Sequence, residues 1–178
     1  LASLPGGDYE PDWSPDGKKI MFIKYGRSTN IYEINPDGSG LRLFIERYNV
    51  YSENTTWAPD GVRFALDEGS FNGFTDLVIF GYNPVSAGYV NLTRKTSYED
   101  FLMGAWSPDG LELAFSRIVY ELVNGYLYIK DASIEIKCVD QNYKCTSSNG
   151  RTDRVISQNV FSLLPDWRSI DHLAPASF

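Results

Sequence analysis

Short apolar runs recur along the chain and are separated by turn residues. The first set carries a phenylalanine in each of its three copies and comprises Lys19–Ile23, Val62–Leu66 and Glu112–Ser116. Two further sets follow in the same order, namely Asn30–Ile34, Asp76–Phe80 and Gly125–Ile129, and then Leu41–Phe44, Tyr89–Leu92 and Arg154–Ile156. No apolar pattern with a period of 3.6 residues persists for the roughly 11 residues that a helix requires. The pattern therefore predicts an all-β protein.

Four tryptophans mark the start of each repeat. The first three are each followed by the same turn residues: Trp13 by Pro15, Asp16 and Gly17; Trp57 by Pro59, Asp60 and Gly61; Trp106 by Pro108, Asp109 and Gly110. Proline fixes the first corner of a turn, aspartate caps it and glycine supplies the positive φ. The fourth, Trp167, keeps Pro165 and Asp166 before it but lacks the turn. The motif predicts a strand that ends at tryptophan and reverses into the next strand.

The repeat resembles that of the TolB-like β-propeller family. The resemblance rests on Trp-Ser-Pro-Asp-Gly, the β-run that follows it, and Asn-Ile-Tyr-Glu-Ile-Asn-Pro-Asp-Gly-Ser-Gly at 30–40. It implies propeller blades of four antiparallel strands, each unit about 40–50 residues long. We expect one domain over 1–178, with units at 9–52, 53–101 and 102–163 and a terminal strand at 164–168. The copies depart from the repeat at Ala58 and are lengthened at 70–75, 84–88 and about 133–149.

Three blades and one terminal strand do not make a normal closed propeller, which typically has about 4–8 blades. The chain begins at Leu1, where a repeat would have just completed its fourth strand. We therefore expect an incomplete propeller, which is either part of a larger one or completed by another copy of the chain. In the second case residues 164–178 would be donated to the first blade of a neighbour.

Composition excludes several classes of protein. Hydrophobic residues make up 43% and aromatic residues 15% of the 178 positions, which is typical of a folded chain. The net charge of -7 and the pI of about 4.7 disfavour nucleic acid as a partner. No apolar stretch reaches the roughly 18 residues of a membrane helix, so no membrane span is expected.

The sequence offers no catalytic, cofactor-binding or metal-binding constellation. His172 is the only histidine, so a serine triad would depend on a residue beyond the last recognisable strand. The segment 35–40 lacks the downstream glutamate of a calcium loop and fits a hairpin turn. The neighbouring carboxylates at 67–68 and 99–100 point to opposite faces of their strands. We therefore expect a protein that is not an enzyme.

Tyrosine is the one residue type in excess of what core packing requires. Blade packing explains tyrosines on strands, such as Tyr32 and Tyr128, whereas tyrosines in predicted loops provide rigid contact area for a partner. The chain has twelve tyrosines, which lie partly in such loops and include Tyr9, Tyr25, Tyr48, Tyr51, Tyr82, Tyr89, Tyr98, Tyr120, Tyr126 and Tyr143.

The resemblance implies a non-catalytic module that is secreted or located in the cell envelope or periplasm of a bacterium or archaeon. Its expected partners are another protein, copies of itself, or a glycan. Two alternatives stay open at this point: a self-assembling structural subunit that forms a ring or filament through its terminal blades, and the propeller part of a larger peptidase-like enzyme.

The two cysteines of the chain generate a testable prediction. Cys138 and Cys145 are too far apart for a thioredoxin-like motif and too few for a zinc site, which favours a disulfide on a protruding hairpin over two free thiols. The bond would contribute about 2–3 kcal/mol because the loop is short. Mass spectrometry of the peptide that contains both residues should show a gain of two hydrogens on reduction. Two thiols open to alkylation in freshly isolated protein would contradict the bond.

Overall fold

The computed structural model describes residues 7–25, 28–48, 50–69, 73–82, 88–94, 98–139 and 153–158. Within these ranges the chain forms β-strands joined by turns, and the strands are β1 (Asp8–Trp13), β2 (Ile20–Tyr25), β3 (Ser28–Ile34), β4 (Arg42–Tyr48), β5 (Tyr51–Trp57), β6 (Arg63–Gly69), β7 (Thr75–Gly81), β8 (Tyr89–Asn91), β9 (Glu99–Trp106), β10 (Glu112–Val123), β11 (Tyr126–Cys138) and β12 (Arg154–Gln158).

The described strands form three antiparallel sheets of four strands each. Blade 1 contains β1 to β4, blade 2 contains β5 to β8, and blade 3 contains β9 to β12, and within each blade consecutive strands are neighbours. The predicted all-β class with four-stranded blades is confirmed. The predicted terminal strand at 164–168, with Trp167, lies outside the described residues, as do Cys145, His172 and the segment 164–178.

The third blade differs from the sequence prediction in the position of its extra length. The extra stretch was expected at about 133–149, but Ser133 to Cys138 continue β11 and pair with β10. The prediction is wrong there because Asn124 and Gly125 form the turn far beyond the sheet, so both flanking strands are long.

The Pro-Asp-Gly turns are held by their own polar side chains. In blade 1 the Asp16 carboxylate accepts hydrogen bonds from the Ser14 hydroxyl (2.8 Å) and the Lys18 N–H (3.0 Å), and the Ser14 oxygen accepts one from the Lys19 N–H (2.9 Å). Blade 3 repeats this pattern with Ser107, Asp109, Leu111 and Glu112. The glycine of each turn has positive φ, at 68° for Gly17, 68° for Gly61 and 70° for Gly110. The motif thus closes the turn with local bonds alone.

Blade 2 closes the same turn without the serine. Because Ala58 has no hydroxyl, Asp60 accepts the N–H of Arg63 directly (3.1 Å) and pairs with its Nε (2.6 Å). The same Arg63 donates through Nη2 to the Gly110 carbonyl (2.7 Å) in the corresponding turn of blade 3, and its guanidinium lies 5.0 Å from the centre of the Trp106 ring. At the position where the other two copies have serine, blade 2 thus has Ala58, and the arginine that helps to close its turn also links blade 2 to blade 3.

Each core cluster lies between two adjacent blades. The tryptophan that ends the first strand of blade 2, Trp57, packs with residues of blades 1 and 2, namely Met21, Ile31, Phe64, Leu66, Val78 and Phe80. Trp106 of blade 3 occupies the corresponding place against Ala58, Ala65, Leu77 and Ile79 of blade 2. Trp13 ends β1 in the same way, but it is 54% exposed, whereas Trp57 and Trp106 are each 7% exposed. The two buried indoles thus join blade 1 to blade 2 and blade 2 to blade 3.

This contrast predicts unequal effects of the same substitution at two equivalent positions. Trp57→Ala should lower the free energy of unfolding of the 178-residue chain by about 3–5 kcal/mol, because it opens a cavity between two blades. Trp13→Ala should lower it by less than about 1 kcal/mol, because the side chain is largely in solvent. Urea denaturation followed by tryptophan fluorescence and by circular dichroism measures both. Equal losses for the two variants would contradict the role assigned to the buried indole.

Candidate interaction surface

Blade 3 carries a hairpin that extends beyond the strands on either side of it. β10 and β11 pair as far as Val123 and Tyr126. Pairing of β9 with β10 ends at Val119, and pairing of β12 with β11 ends at Ser133. Within the described residues, the hairpin tip at 120–132 is therefore a two-stranded ribbon. Such a ribbon has little stability of its own in water.

The hairpin reverses through a two-residue turn. Asn124 and Gly125 both have positive φ, at 53° and 84°, which is the conformation of a type I′ turn and is typical of the Asn-Gly pair. The turn fixes the register, so that Leu122 lies opposite Leu127 and Tyr120 lies opposite Ile129. Tyr120, Leu122 and their partners consequently share one face of the ribbon.

Apolar side chains are exposed on both faces of the hairpin tip. Tyr126 is 70% exposed, and the others that exceed two fifths exposure are Leu122, Val123, Leu127, Tyr128 and Ile129. Tyr128 was expected to be explained by blade packing, and that expectation is wrong, because its side chain is 54% exposed and no described strand other than its hairpin partner β10 pairs with the tip. Contiguous exposed apolar surface of this kind marks an interaction site in a soluble protein.

A cleft of about 650 Å³ lies at the base of the hairpin tip. Three aromatic rings line it: Phe74 from the loop that precedes β7, Tyr98 from the turn that precedes β9, and Tyr120 from β10. The centre of the Phe74 ring is 5.9 Å from that of Tyr98 with the planes at 74°, and 5.4 Å from that of Tyr120 with the planes at 30°. Leu122 and Leu127 line the cleft on the hairpin side. The cleft therefore joins blade 2 to the apolar face of the tip.

One carboxylate, that of Asp100, lies in this aromatic cleft. Its Oδ1 accepts hydrogen bonds from the N–H (2.7 Å) and the hydroxyl (3.1 Å) of Thr75. It also accepts the hydroxyl proton of Tyr120, and burial together with this hydrogen bond and the nearby negative charge raises the pKa of Tyr120 to about 12. Tyr120 is consequently a neutral donor at physiological pH and is held in place by Asp100.

The backbone at the cleft is constrained. Tyr98 has a φ of 73°, a conformation that is unfavourable for a bulky L-residue. Its carbonyl oxygen accepts the N–H of Tyr120 at 2.9 Å, which ties the start of β9 to the hairpin. Strained residues of this kind persist where the surrounding structure fixes them and are found disproportionately at binding sites.

The motif residues predicted from the sequence lie at the opposite end of the blades. The Pro-Asp-Gly turns join the first and second strands, whereas the hairpin tip and its cleft lie where second strands lead into third strands. The cleft between the turns of blades 1 and 2, about 540 Å³ in volume, contains residues such as Asp16 and Asp60 that serve the turns themselves. The turn motif is thus structural. Tyr98 and Tyr120 of the aromatic cleft are among the tyrosines that the sequence suggests as contact area for a partner, whereas the sequence does not point to Phe74 or to the cleft itself.

A buried polar cluster near the turns also has a structural explanation. Glu33 is 1% exposed and accepts bonds from Arg42 Nε (2.6 Å) and the Tyr82 hydroxyl (2.5 Å), with Lys19 Nζ at 3.3 Å. Burial raises the pKa of Glu33, but the hydrogen bonds from Arg42, Tyr82 and Lys19 outweigh it and leave the pKa below its usual value. The carboxylate is fully used in holding β3 to β4 and to blade 2.

Two features are absent from the described part of the chain. No helix there is long and apolar enough to cross a membrane. Nor do three or more histidine, cysteine, aspartate or glutamate side chains converge there in a way that could hold a metal ion.

Comparison with known proteins gives the fold. No protein family model matches the chain. Among solved structures, the chain is similar to a protein assigned as TolB from Agrobacterium tumefaciens, with a TM-score of 0.60 over 89% of the chain and 16% identity. It is also similar to an oligogalacturonate lyase in complex with manganese (TM-score 0.59, 88% of the chain, 11% identity) and to the tricorn protease (TM-score 0.54, 78% of the chain, 11% identity).

The chain spans 51%, 43% and 14% of the lengths of these three proteins. Because the identities are low, the likeness concerns architecture and carries no activity with it. The predicted resemblance is confirmed at that level: the chain has the fold of TolB-like β-propeller blades.

Proposed function

We propose that the chain is a non-catalytic β-propeller module that binds a protein partner through the hairpin tip and the aromatic cleft at its base. The observation that carries the proposal is the exposure of apolar side chains on both faces of a ribbon that has no neighbouring strand within the described residues. Burying these side chains against a partner would stabilise both the complex and the ribbon.

The chemistry of the hairpin tip favours a protein over a glycan. Leu122, Val123, Leu127 and Ile129 offer only apolar groups, and the two tyrosines at the tip add rigid amphipathic area. Such a mixture is typical of the buried centre of a protein interface. A glycan is held mainly by hydrogen bonds, and the side chains of these four aliphatic residues can form none.

The proposal places the module in the cell envelope, in the periplasm or outside the cell of a bacterium or archaeon. Support comes from the TolB-like fold and from the predicted bond between Cys138 and Cys145, which would require an oxidising compartment. The same fold occurs in a lyase and a protease, so the non-catalytic part of the proposal rests on this chain's own residues, among which His172 is the only histidine.

A second candidate function is self-assembly through the first blade. Trp13 is 54% exposed at the position where the two later tryptophans pack against a preceding blade, and Leu43 of the outer strand β4 is 43% exposed. A blade from another copy of the chain would cover this face by repeating the existing interface. Sedimentation of the wild type against Trp13→Glu tests this candidate, since only an assembly through blade 1 would be dissociated by the substitution.

The main proposal predicts a selective loss of binding. The partner is first identified by placing a photoreactive residue at position 126 in the native host, and its affinity is then measured with purified proteins. Val123→Thr combined with Tyr126→Thr should weaken the complex by at least about tenfold, because two exposed apolar side chains are removed from the proposed interface. Threonine is compatible with strands, so the hairpin should persist.

A matched control removes the same two residue types elsewhere. Tyr48 is 68% and Val62 is 57% exposed, and both lie away from the hairpin tip. Tyr48→Thr combined with Val62→Thr should leave the affinity unchanged. Equal losses in the two double variants, or no loss in the first, would overturn the proposed binding surface.

A further inference from the structure

The aromatic cleft holds a negative charge that none of the described basic side chains neutralises. Asp100 is half-buried, and its bonds within the described chain come from neutral donors, namely the Thr75 backbone and hydroxyl and the Tyr120 hydroxyl. A carboxylate has about four lone-pair sites. Donors in the described part of the chain occupy three of them, which leaves about one to accept a hydrogen bond from a ligand.

The rings around Asp100 reinforce its preference for positive charge. Phe74 and Tyr98 lie nearly perpendicular to each other, while Phe74 and Tyr120 are tilted by 30°. Different ring faces and edges therefore border the same space. The face of an aromatic ring is electron-rich and attracts a cation within about 6 Å. The carboxylate and the rings therefore both favour a cation in the cleft.

The remaining walls define what must accompany the cation. Leu122 and Leu127 line the hairpin side of the cleft, so a ligand there needs an apolar portion. Ca²⁺ and Mg²⁺ are a poor match, because each requires six or more oxygen ligands. Phosphate and carboxylate groups are disfavoured by the charge of Asp100. The combination fits an ammonium or guanidinium group on an aliphatic stem.

The cleft is also ordered before any ligand arrives. The unusual φ of Tyr98 is fixed by the hydrogen bond from Tyr120 to its carbonyl, and the Tyr120 ring is fixed by its hydroxyl bond to Asp100. Binding therefore requires little further ordering of the Tyr120 and Asp100 side chains or of the Tyr98 backbone, which reduces the entropic cost of recognition.

We propose that this cleft binds a lysine or arginine side chain of the protein partner that docks on the hairpin tip. The inference deepens the proposed function and rests on it. It gives the tip its specificity: the ribbon provides apolar contact area, and the cleft selects a basic residue that reaches past Leu122 and Leu127 towards Asp100.

The first test uses small probes and does not require the partner. Nα-acetyl-lysine methylamide and Nα-acetyl-arginine methylamide are titrated into the 178-residue chain, with Nα-acetyl-norleucine methylamide as the uncharged analogue and methyl β-glucoside as a sugar. The readout is the NMR shift of the ring carbons and protons of Phe74, Tyr98 and Tyr120. At least one basic probe should saturate these shifts and bind about tenfold more tightly than the norleucine probe.

Variants assign the effect to the carboxylate. Asp100→Asn removes the charge but retains an oxygen that can accept a hydrogen bond from Thr75. It should lower the affinity for the basic probe by about tenfold and leave the affinity for the norleucine probe unchanged. Glu121→Gln is the matched control, because it removes the same charge from the hairpin on the face opposite to the cleft. The Glu121→Gln variant should bind both probes with the affinity of the wild type. Phe74→Leu should also lower the affinity for the basic probe, even though the Asp100 carboxylate is retained, because it removes one of the aromatic rings.

The outcomes separate this inference from the proposed function. Equal binding of the lysine and norleucine probes, shifts with the glucoside alone, or no effect of Asp100→Asn on the basic probe would each overturn the cationic site. The decisive measurement with the identified partner is its affinity for Asp100→Asn. If that affinity is unchanged while the Val123→Thr and Tyr126→Thr variant still loses binding, the cleft inference is wrong and the hairpin surface stands. If both variants bind as the wild type does, the proposed function is wrong as well.

Discussion

The packing of one blade's tryptophan against the preceding blade is the interaction on which this structure depends. A four-stranded sheet has two faces, and a sheet that stands alone exposes one or both of them to water. In blade 2 the side chains of β6 and β7 alternate between two clusters, with Phe64 facing Trp57 and Ala65 facing Trp106. Every residue of β6 is buried. The middle blade is therefore stable only because both of its neighbours are present, and stability is a property of the stack.

Polar bonds hold the stacked blades at a fixed position along one another. The Asp12 carboxylate accepts the N–H of Trp57 at 2.8 Å, and the Trp106 Nε1 donates to the Thr56 carbonyl at 3.2 Å. Both bonds join the first strands of adjacent blades beside a buried indole. Apolar packing alone would tolerate sliding between sheets, whereas these directional bonds fix the register. Arg63 adds a further link from the turn of blade 2 to that of blade 3.

The sequence was sufficient for the blades because the signals for them are local. Tryptophan, proline, aspartate and glycine stand within five residues of one another, and each turn is closed by its own side chains. The cleft was not predictable in this way. Phe74, Tyr98 and Tyr120 come from two blades, and only the packing of those blades brings their rings together. The left-handed backbone of Tyr98 is likewise imposed by tertiary contact, since nothing in the local sequence favours positive φ for tyrosine.

The length of the hairpin depends on a different constraint. Along β10 and β11 apolar residues occur both in the buried part of the sheet and in the exposed tip, so the sequence alone does not show where coverage ends. Among the described residues, pairing with β9 reaches as far as Val119 of β10, and pairing with β12 reaches as far as Ser133 of β11. Lengthening this hairpin leaves the tryptophan contacts between blades untouched, because those contacts lie at the other end of the first strands. The tip can therefore vary in length and composition without cost to the stack, and this makes it the part of the blade where a binding surface can be added.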